Sequence, residues 1–376
     1  MSRSIALTVF SILLVLTGCK KQETVTVQIP VGMAISLTGN FGPYGINQKN
    51  GLELALDELN ENADIHGFEL IPHFFDDQSS PDTCRKIFRE MILNHQVMAI
   101  IGPTSSNSAF MADTVAQNNK VSVIGISNTV PGITEMGNYV FRNSLMESSV
   151  IPNTVKATHA KLGYSRVAIV YGNDDPYTTG AYDAFKAALE NTAGVTIVST
   201  EIIHKGDREF TAQVTRIKES NPDAIVLAAL VAEASLLMLK ARELGIPSSV
   251  RFIGGNSFNT SQLWQLAGEA SQKAICGSAW IYSENTPGNS QFVTSYTARF
   301  GSKPDQFAAQ AYASLYILAD AIKRAGQVNN LTLRDALAST QNLQTILGSF
   351  SFDANRNPVH TPVVQELVNG QFFIFQ

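Results

Sequence analysis

The sequence predicts an α/β protein built from two similar, doubly wound lobes, and three observations carry that expectation. From residue 25 onward, short apolar runs of strand length alternate with apolar stripes at helical spacing, joined by short connections. Around residues 141–152 the chain turns polar and the alternation then starts again, so one α/β series follows another. Several strand-like runs end in clusters of hydroxyl and amide side chains. In a parallel sheet such endings share the carboxyl edge, where open α/β sheets bind ligands.

Residues 1–19 read as a targeting segment. Arg3 gives a positive start, residues 5–16 are almost wholly apolar, and Leu16-Thr17-Gly18-Cys19 closes the segment with small residues before a cysteine. The apolar run is too short to span a bilayer. Leu-Thr-Gly-Cys resembles the bacterial lipobox, which implies cleavage before Cys19 and lipid attachment to its sulfur. The alternative is a plain signal peptide with a chance cysteine. Lipid chains would hold the mature chain at a membrane surface, with residues 20–24 as a polar tether.

In the first series, strands are expected at 26–35, 68–75, 97–101 and 121–126. Leu52, Ala55, Leu56 and Leu59 mark one helix, and Pro81 opens another bearing Cys84, Ile87, Phe88 and Met91. In the second series, strands are expected at 166–171, 195–203, 224–230, 251–254 and 273–280. Helices fall between them: one from Ala181, one along Phe210, Val214 and Ile217, one along Leu237, Ala241 and Leu244 with Gly245 as its stop, and one at 263–267. After Pro287, Phe292, Tyr296 and Phe300 mark a helix, followed by a long one at 305–325 and a third at 331–337. A turn-rich stretch then runs to Pro358, and Asn369-Gly370 between two apolar runs signals a closing hairpin.

Composition narrows the function. Of 376 residues, 44% are hydrophobic, enough for two cores, and no apolar run after residue 19 is long enough to cross a membrane. A net charge of −5, without a basic block interleaved with aromatics, argues against nucleic acid as a partner. Cys84 lies on an apolar helical stripe and Cys276 in an apolar run, so both are expected as buried free thiols. The motifs G-x-S-x-G, H-E-x-x-H, C-x-x-C, G-x-x-x-x-G-K and G-x-G-x-x-G are absent. His66, His73, His95, His159, His204 and His360 are scattered, which gives no metal set. Asp76-Asp77 and Asp174-Asp175 follow strands, where acidic turn and cap residues are ordinary; a catalytic pair is the other reading.

The most informative stretch is 97–110. Its apolar run stops at Gly102-Pro103, and Ser105, Ser106, Asn107 and Ser108, all good N-cap types, precede a helical stripe of Ala109, Met111, Ala112, Val115 and Ala116. Free N–H groups, the positive end of a helix dipole and serine hydroxyls suit a small carboxylate, although serines at a helix start also serve simply as caps. The same kind of polar ending recurs at Ser127-Asn128-Thr129 and Ser36-Leu37-Thr38-Gly39.

Taken together, these features resemble a type I periplasmic solute-binding protein of the leucine/isoleucine/valine-binding branch. The resemblance rests on Ser36-Leu-Thr-Gly-Asn-Phe-Gly-Pro-Tyr44-Gly45, Ile100-Ile-Gly-Pro-Thr-Ser-Ser106, Ile126-Ser-Asn-Thr129-Val-Pro131, Asp175-Pro-Tyr177 and Gly348-Ser-Phe-Ser-Phe-Asp353. It implies two Rossmann-like lobes joined by a three-strand hinge, closing over a small ligand for delivery to the permease of an ABC importer. It further implies a monomer without enzymatic activity or cofactor, outside the cytoplasm on a bacterial membrane, periplasmic or facing the cell surface. Lobe 1 would comprise 25–145 and 283–358, and lobe 2 would comprise 146–282 and 359–376.

Carried over by position, Ser106 matches the serine on the ligand carboxylate, Thr129 the threonine touching carboxylate and ammonium, and Ser127 the position whose carbonyl accepts from the ammonium. Tyr44 and Tyr177 match pocket aromatics. Two positions depart: the family's acid falls on Asn256, and a tyrosine falls on Leu230. Either another acid, such as Glu233, reaches the site, or the ligand has no ammonium. A branched-chain or related amino acid is therefore one expectation, and a desamino acid or amide the other. A ligand sensor for a signalling partner is a second class of function, and an extracytoplasmic hydrolase, for which no base stands at plausible spacing, a third.

Overall fold

The computed structural model describes residues 26–61 and 67–376, so the targeting segment, Cys19 and His66 lie outside it. The first series is β1 (Val27–Ile35), α1 (Gly42–Glu61), β2 (Phe68–Asp76), α2 (Pro81–Leu93), β3 (Ala99–Ile101), α3 (Ser106–Asn118), β4 (Ser122–Gly125) and β5 (Val140–Arg142). Its five strands form one parallel sheet in the order β2-β1-β3-β4-β5. The central strands are apolar and buried on both faces, as parallel strands covered by crossover helices must be.

The second series is α4 (Glu147–Leu162), β6 (Arg166–Gly172), α5 (Pro176–Glu190), β7 (Thr196–Ile203), α6 (Thr211–Glu219), β8 (Ala224–Ala228), α7 (Val231–Glu243), β9 (Arg251–Gly254), α8 (Gln262–Ala267) and β10 (Ile275–Ser278). There follow α9 (Asn289–Phe300), α10 (Gln306–Ala325), α11 (Asn330–Ala338), β11 (Leu343–Thr345), β12 (Gly348–Phe352), β13 (Pro358–Val359), β14 (Val363–Val368) and β15 (Gln371–Ile374). The second sheet has the order β15-β14-β10-β9-β8-β6-β7. Its first-series-like strands are parallel, while β14 and β15 are antiparallel and joined through Val368 and Gln371 around Asn369-Gly370.

Each sheet is sandwiched between helices. On the first, Ile29, Val31 and Met33 pack with Leu52 of α1, Leu315 and Leu318 of α10 and Phe350 of β12, while Ala34, Ile100 and Val123 pack with Phe88 of α2 and Ala112 of α3. On the second, Val170 and Leu227 pack with Val214, Leu237 and Leu263, and Val167 and Ile169 with Ile151 and Phe185. This is the two-lobed α/β arrangement that the alternation predicts. Cys84 and Cys276 are buried free thiols.

Beyond strand ends drawn in by one or two residues at β3, β4 and β10, the elements differ from the sequence reading in three places. β5 and α4 occupy the stretch that reads as polar, and the strand expected to reach Leu230 ends at Ala228, leaving Leu230 as the N-cap of α7. The helix expected from Ala181 begins at Pro176, with Asp175 as its cap. Among the described residues no helix is long and apolar enough to cross a membrane.

Candidate functional site

The carboxyl edges of the two sheets face a common, half-open cavity with about 450 Å³ of space between atoms, part of it open to solvent. Tyr44, Ser106, Ser127, Thr129, Tyr177, Leu230 and Asn256, the seven expected pocket residues, all line it. Tyr44 comes from the first turn of α1, Ser106 from the first turn of α3, and Ser127 and Thr129 from the turn after β4. From the other side, Tyr177 lies at the start of α5, Leu230 caps α7 and Asn256 follows β9.

Local sequence explains how the first side is built. Gly102 has φ +116° and lies so close to β1 that a side chain would strike the Ala34 carbonyl, so glycine is needed where the chain leaves β3. Ser105 caps α3, its Oγ accepting the Ser108 N–H at 3.0 Å, which leaves Ser106 free to face the cavity. Three strand ends are then tied together: Thr104 Oγ1 accepts from Ser36 N (2.9 Å) and donates to Gln48 Oε1 (2.7 Å), Gln48 Nε2 donates to Ser127 Oγ (2.7 Å), and Ser127 Oγ donates to the Thr104 carbonyl (2.6 Å). The Ser106 hydroxyl accepts the Thr129 N–H at 3.2 Å. The Thr129 Oγ1 is buried without a hydrogen-bond partner in the protein.

Several positions in and around the cavity escape a reading of the sequence. Arg142, fully buried on β5, donates to the carbonyls of Asn128 (3.0 Å) and Val130 (2.6 Å) and to Asn357 Oδ1 (2.7 Å), clamping the turn that carries Thr129. Burial lowers its pKa to about 10. Its one signal is a cation ending the apolar run Tyr139-Val140-Phe141. Phe41, Phe307 and Gln310 line the cavity too, and Gln306 ties its two sides, accepting from Ala279 N (2.8 Å) and donating to the Asn256 carbonyl (2.5 Å). The Tyr44 hydroxyl also crosses, accepting the Val231 N–H at 2.8 Å.

The lining holds hydroxyls, amides and rings, with no charged side chain among the described residues. Glu233, the acid considered as a replacement for Asn256, does not line it. Its Oε1 accepts from Gly206 N at 2.7 Å, and it shares a neighbouring pocket with Asp174, Asp175 and Lys205, with Leu230 as the common wall. Burial raises the Glu233 pKa. Glu147 on α4 does not line it either, but it holds a residue that does: its Oε1 accepts from Asn256 N at 3.0 Å. Burial pushes its pKa up to about 7.

The paired aspartates are turn and cap residues. Asp175 Oδ1 accepts the Tyr177 N–H at 2.9 Å, Asp77 accepts from Ser36 Oγ (2.5 Å) and Ser79 N (2.9 Å), and Asp76 accepts from Leu37 N (2.8 Å). The His73 and His95 rings lie tilted by 45° with centroids 4.5 Å apart, and no group of three or more His, Cys, Asp or Glu that could hold a metal occurs among the described residues.

Known proteins with this arrangement identify its family. A Leu/Ile/Val-binding protein, BraC3, of Rhizobium johnstonii is 27% identical over 326 residues, 86% of this chain and 87% of that protein. A leucine-, isoleucine-, valine-, threonine- and alanine-binding protein of Pseudomonas aeruginosa is 23% identical over 326 residues, 86% of each chain. Among solved structures, the branched-chain amino acid transporter substrate-binding protein LivJ of Streptococcus pneumoniae, in complex with isoleucine, is 28% identical with a TM-score of 0.86, covering 92% of this chain and 97% of that one. A solute-binding protein of an ABC transporter from R. palustris, in complex with benzoate, is 20% identical with a TM-score of 0.81, covering 93% of this chain and 95% of that one, and shares the fold. Residues 28–371 match the family described as periplasmic binding protein, and the chain belongs to it.

Proposed function

We propose that the protein is an extracytoplasmic receptor that binds a branched-chain or related amino acid in this cleft and presents it to an ABC importer. The observation that carries the reading is the Thr129 hydroxyl, buried without a protein partner in a cavity that also receives Ser106 and the N-terminus of α3. A carboxylate satisfies that hydroxyl and the helix end together. Phe41, Tyr44, Tyr177, Leu230 and Phe307 supply apolar walls for a branched side chain. The names of the relatives from Rhizobium and Pseudomonas support the same ligand class.

Lobe 1 is assigned to 25–145 and 283–358, and lobe 2 to 146–282 and 359–376, with three crossings as a hinge. The Tyr44 and Gln306 contacts across the cleft support a closed form stabilised where both sides meet. Lipid attachment at Cys19 rests on Leu16-Thr17-Gly18-Cys19. The function needs neither cofactor nor chemistry, and the receptor acts as a monomer.

A second reading, a desamino acid or amide as ligand, is favoured by the uncharged lining and by Asn256. A thermal-shift panel on the protein lacking residues 1–19 separates the two: leucine, phenylalanine and alanine against their desamino acids and amides. At 100 times its dissociation constant a ligand adds about 2.7 kcal/mol of stability. Shifts with amino acids support the main reading, and shifts only with compounds lacking the ammonium support the second.

A further inference from the structure

An α-ammonium enclosed in a dry cleft needs a counter-charge, and the cavity lining supplies none. Four buried carboxylates stand around it. Asp175 caps α5 and pairs with Lys205 at 3.5 Å. Asp305 caps α10 through Ala308 N (3.0 Å) and accepts from Asn47 Nδ2 (2.7 Å). Glu233 lies behind Leu230. The Oε2 atoms of Glu233 and Glu147 are both buried without a hydrogen-bond partner, but only Glu147 of the four bonds the residue at 256, where the family's acid is missing.

One Glu147 oxygen takes the Asn256 N–H, the other, Oε2, is buried without a close hydrogen-bond partner, the Tyr177 phenol and the Asn256 amide lie beside the carboxylate, and the side chain joins no ion pair among the described residues. Glu147 shares a groove with Thr129 and Tyr177, both of which also line the ligand cavity. The carboxylate packs against Gly255, where a Cβ would stand 2.6 Å from Oε2, so glycine makes the room that Glu147 occupies. The identity of residue 256 fits this arrangement. An acid at 256 would set two carboxylates side by side in one buried spot, whereas asparagine leaves the charge to Glu147 and holds that carboxylate through its own backbone N–H.

Resting on the amino-acid reading above, we propose that Glu147 is the carboxylate that pairs with the ligand's α-ammonium, taking over the charge that Asn256 lacks. The groups facing it are the Tyr177 phenol from α5, the Asn256 amide and the Cys276 thiol from β10, and burial raises the pKa of both the phenol and the thiol, so all three are neutral at pH 7. In the empty cleft burial also favours the protonated acid. An incoming ammonium therefore displaces that proton and leaves an ion pair.

The test is calorimetry on wild type, Glu147→Gln and the double variant Glu147→Gln/Asn256→Glu, using leucine and its desamino analogue 4-methylpentanoate as probes. Glutamine preserves the acceptor for Asn256 N–H, and a thermal melt checks that the variant folds. Leucine affinity is expected to fall at least ~100-fold in Glu147→Gln, that of 4-methylpentanoate to change less than ~3-fold, and leucine binding to return in the double variant. At pH 6, wild type is expected to release close to one proton per leucine bound and Glu147→Gln none, read from buffers of different ionisation enthalpy. Leucine binding by Glu147→Gln within ~3-fold of wild type overturns the assignment to Glu147 while leaving the amino-acid reading intact. Failure of wild type to bind any amino acid overturns both.

Discussion

Tyr44 offers a direct measure of closure. Its hydroxyl accepts the N–H of Val231, 187 positions later in the chain, at 2.8 Å. Both residues are buried, and Val231 opens α7 on the opposite side of the cleft. Tyr44→Phe keeps the ring against Phe307, whose centroid is 4.7 Å away, and removes only the acceptor. A buried donor left without its partner costs about 1 to 3 kcal/mol. In an open form water reaches that N–H, so the cost falls on the closed form alone. Leucine affinity should then drop about 5- to 150-fold, in proportion to the closed-state loss. Isothermal calorimetry reads the affinity, and urea unfolding of the empty protein reads the rest, which should change by no more than about 0.5 kcal/mol. If the empty protein instead loses 1 to 3 kcal/mol and the affinity holds, the contact belongs to the resting molecule and the closure argument fails.

Other expectations follow from single atoms. Thr129→Val deletes a hydroxyl that no protein group uses, so it should leave or slightly raise the melting temperature while lowering leucine affinity about tenfold. Arg142→Met releases the carbonyls on both sides of Thr129 and should cost about 3 kcal/mol in urea unfolding, with weaker binding in calorimetry. Glu147 has a folded pKa raised from 4.5 to about 7, so its favourable share of stability is full below the unfolded value and is lost as pH rises through 7. Urea melts of the empty protein at pH 4.5 and 8 should therefore show wild type losing stability relative to Glu147→Gln, by at most about 3 kcal/mol; an opposite trend means that the carboxylate is not desolvated.

The strands were legible because a parallel strand buried on both faces is a continuous apolar run, and the strand-to-helix turns because Gly102-Pro103 and the following serines are local signals. β5 and α4 were not. Arg142 ends the three-residue strand with a guanidinium, and its burial depends on carbonyls that only the folded turn supplies. In α4, Pro152 and two buried threonines break the apolar stripe; Thr154 and Thr158 satisfy their hydroxyls on the carbonyls of Val150 (2.9 Å) and Thr154 (2.8 Å). The seven pocket residues lie on turns whose chemistry is local. Gln306, Phe307 and Gln310 join them through packing of α10 against α1, which no short-range pattern announces, and Glu147 reads in the sequence as an ordinary acid in the first turn of a helix.

The packing of α10 on α1 also dictates the order in which the chain can fold. Asn47 bonds Asp305 across 258 positions, and the Tyr312 and Tyr316 hydroxyls meet Glu58 across 254 and 258. One face of the first sheet, with Ile29, Val31 and Met33 at its centre, thus stays uncovered until α10 has been made. The second sheet in turn lacks β14 and β15 until the final residues arrive. A chain stopped at residue 282 would carry two unfinished, apolar surfaces and be prone to aggregate rather than to bind. Full burial of the first strand thus needs residues from the last quarter of the chain.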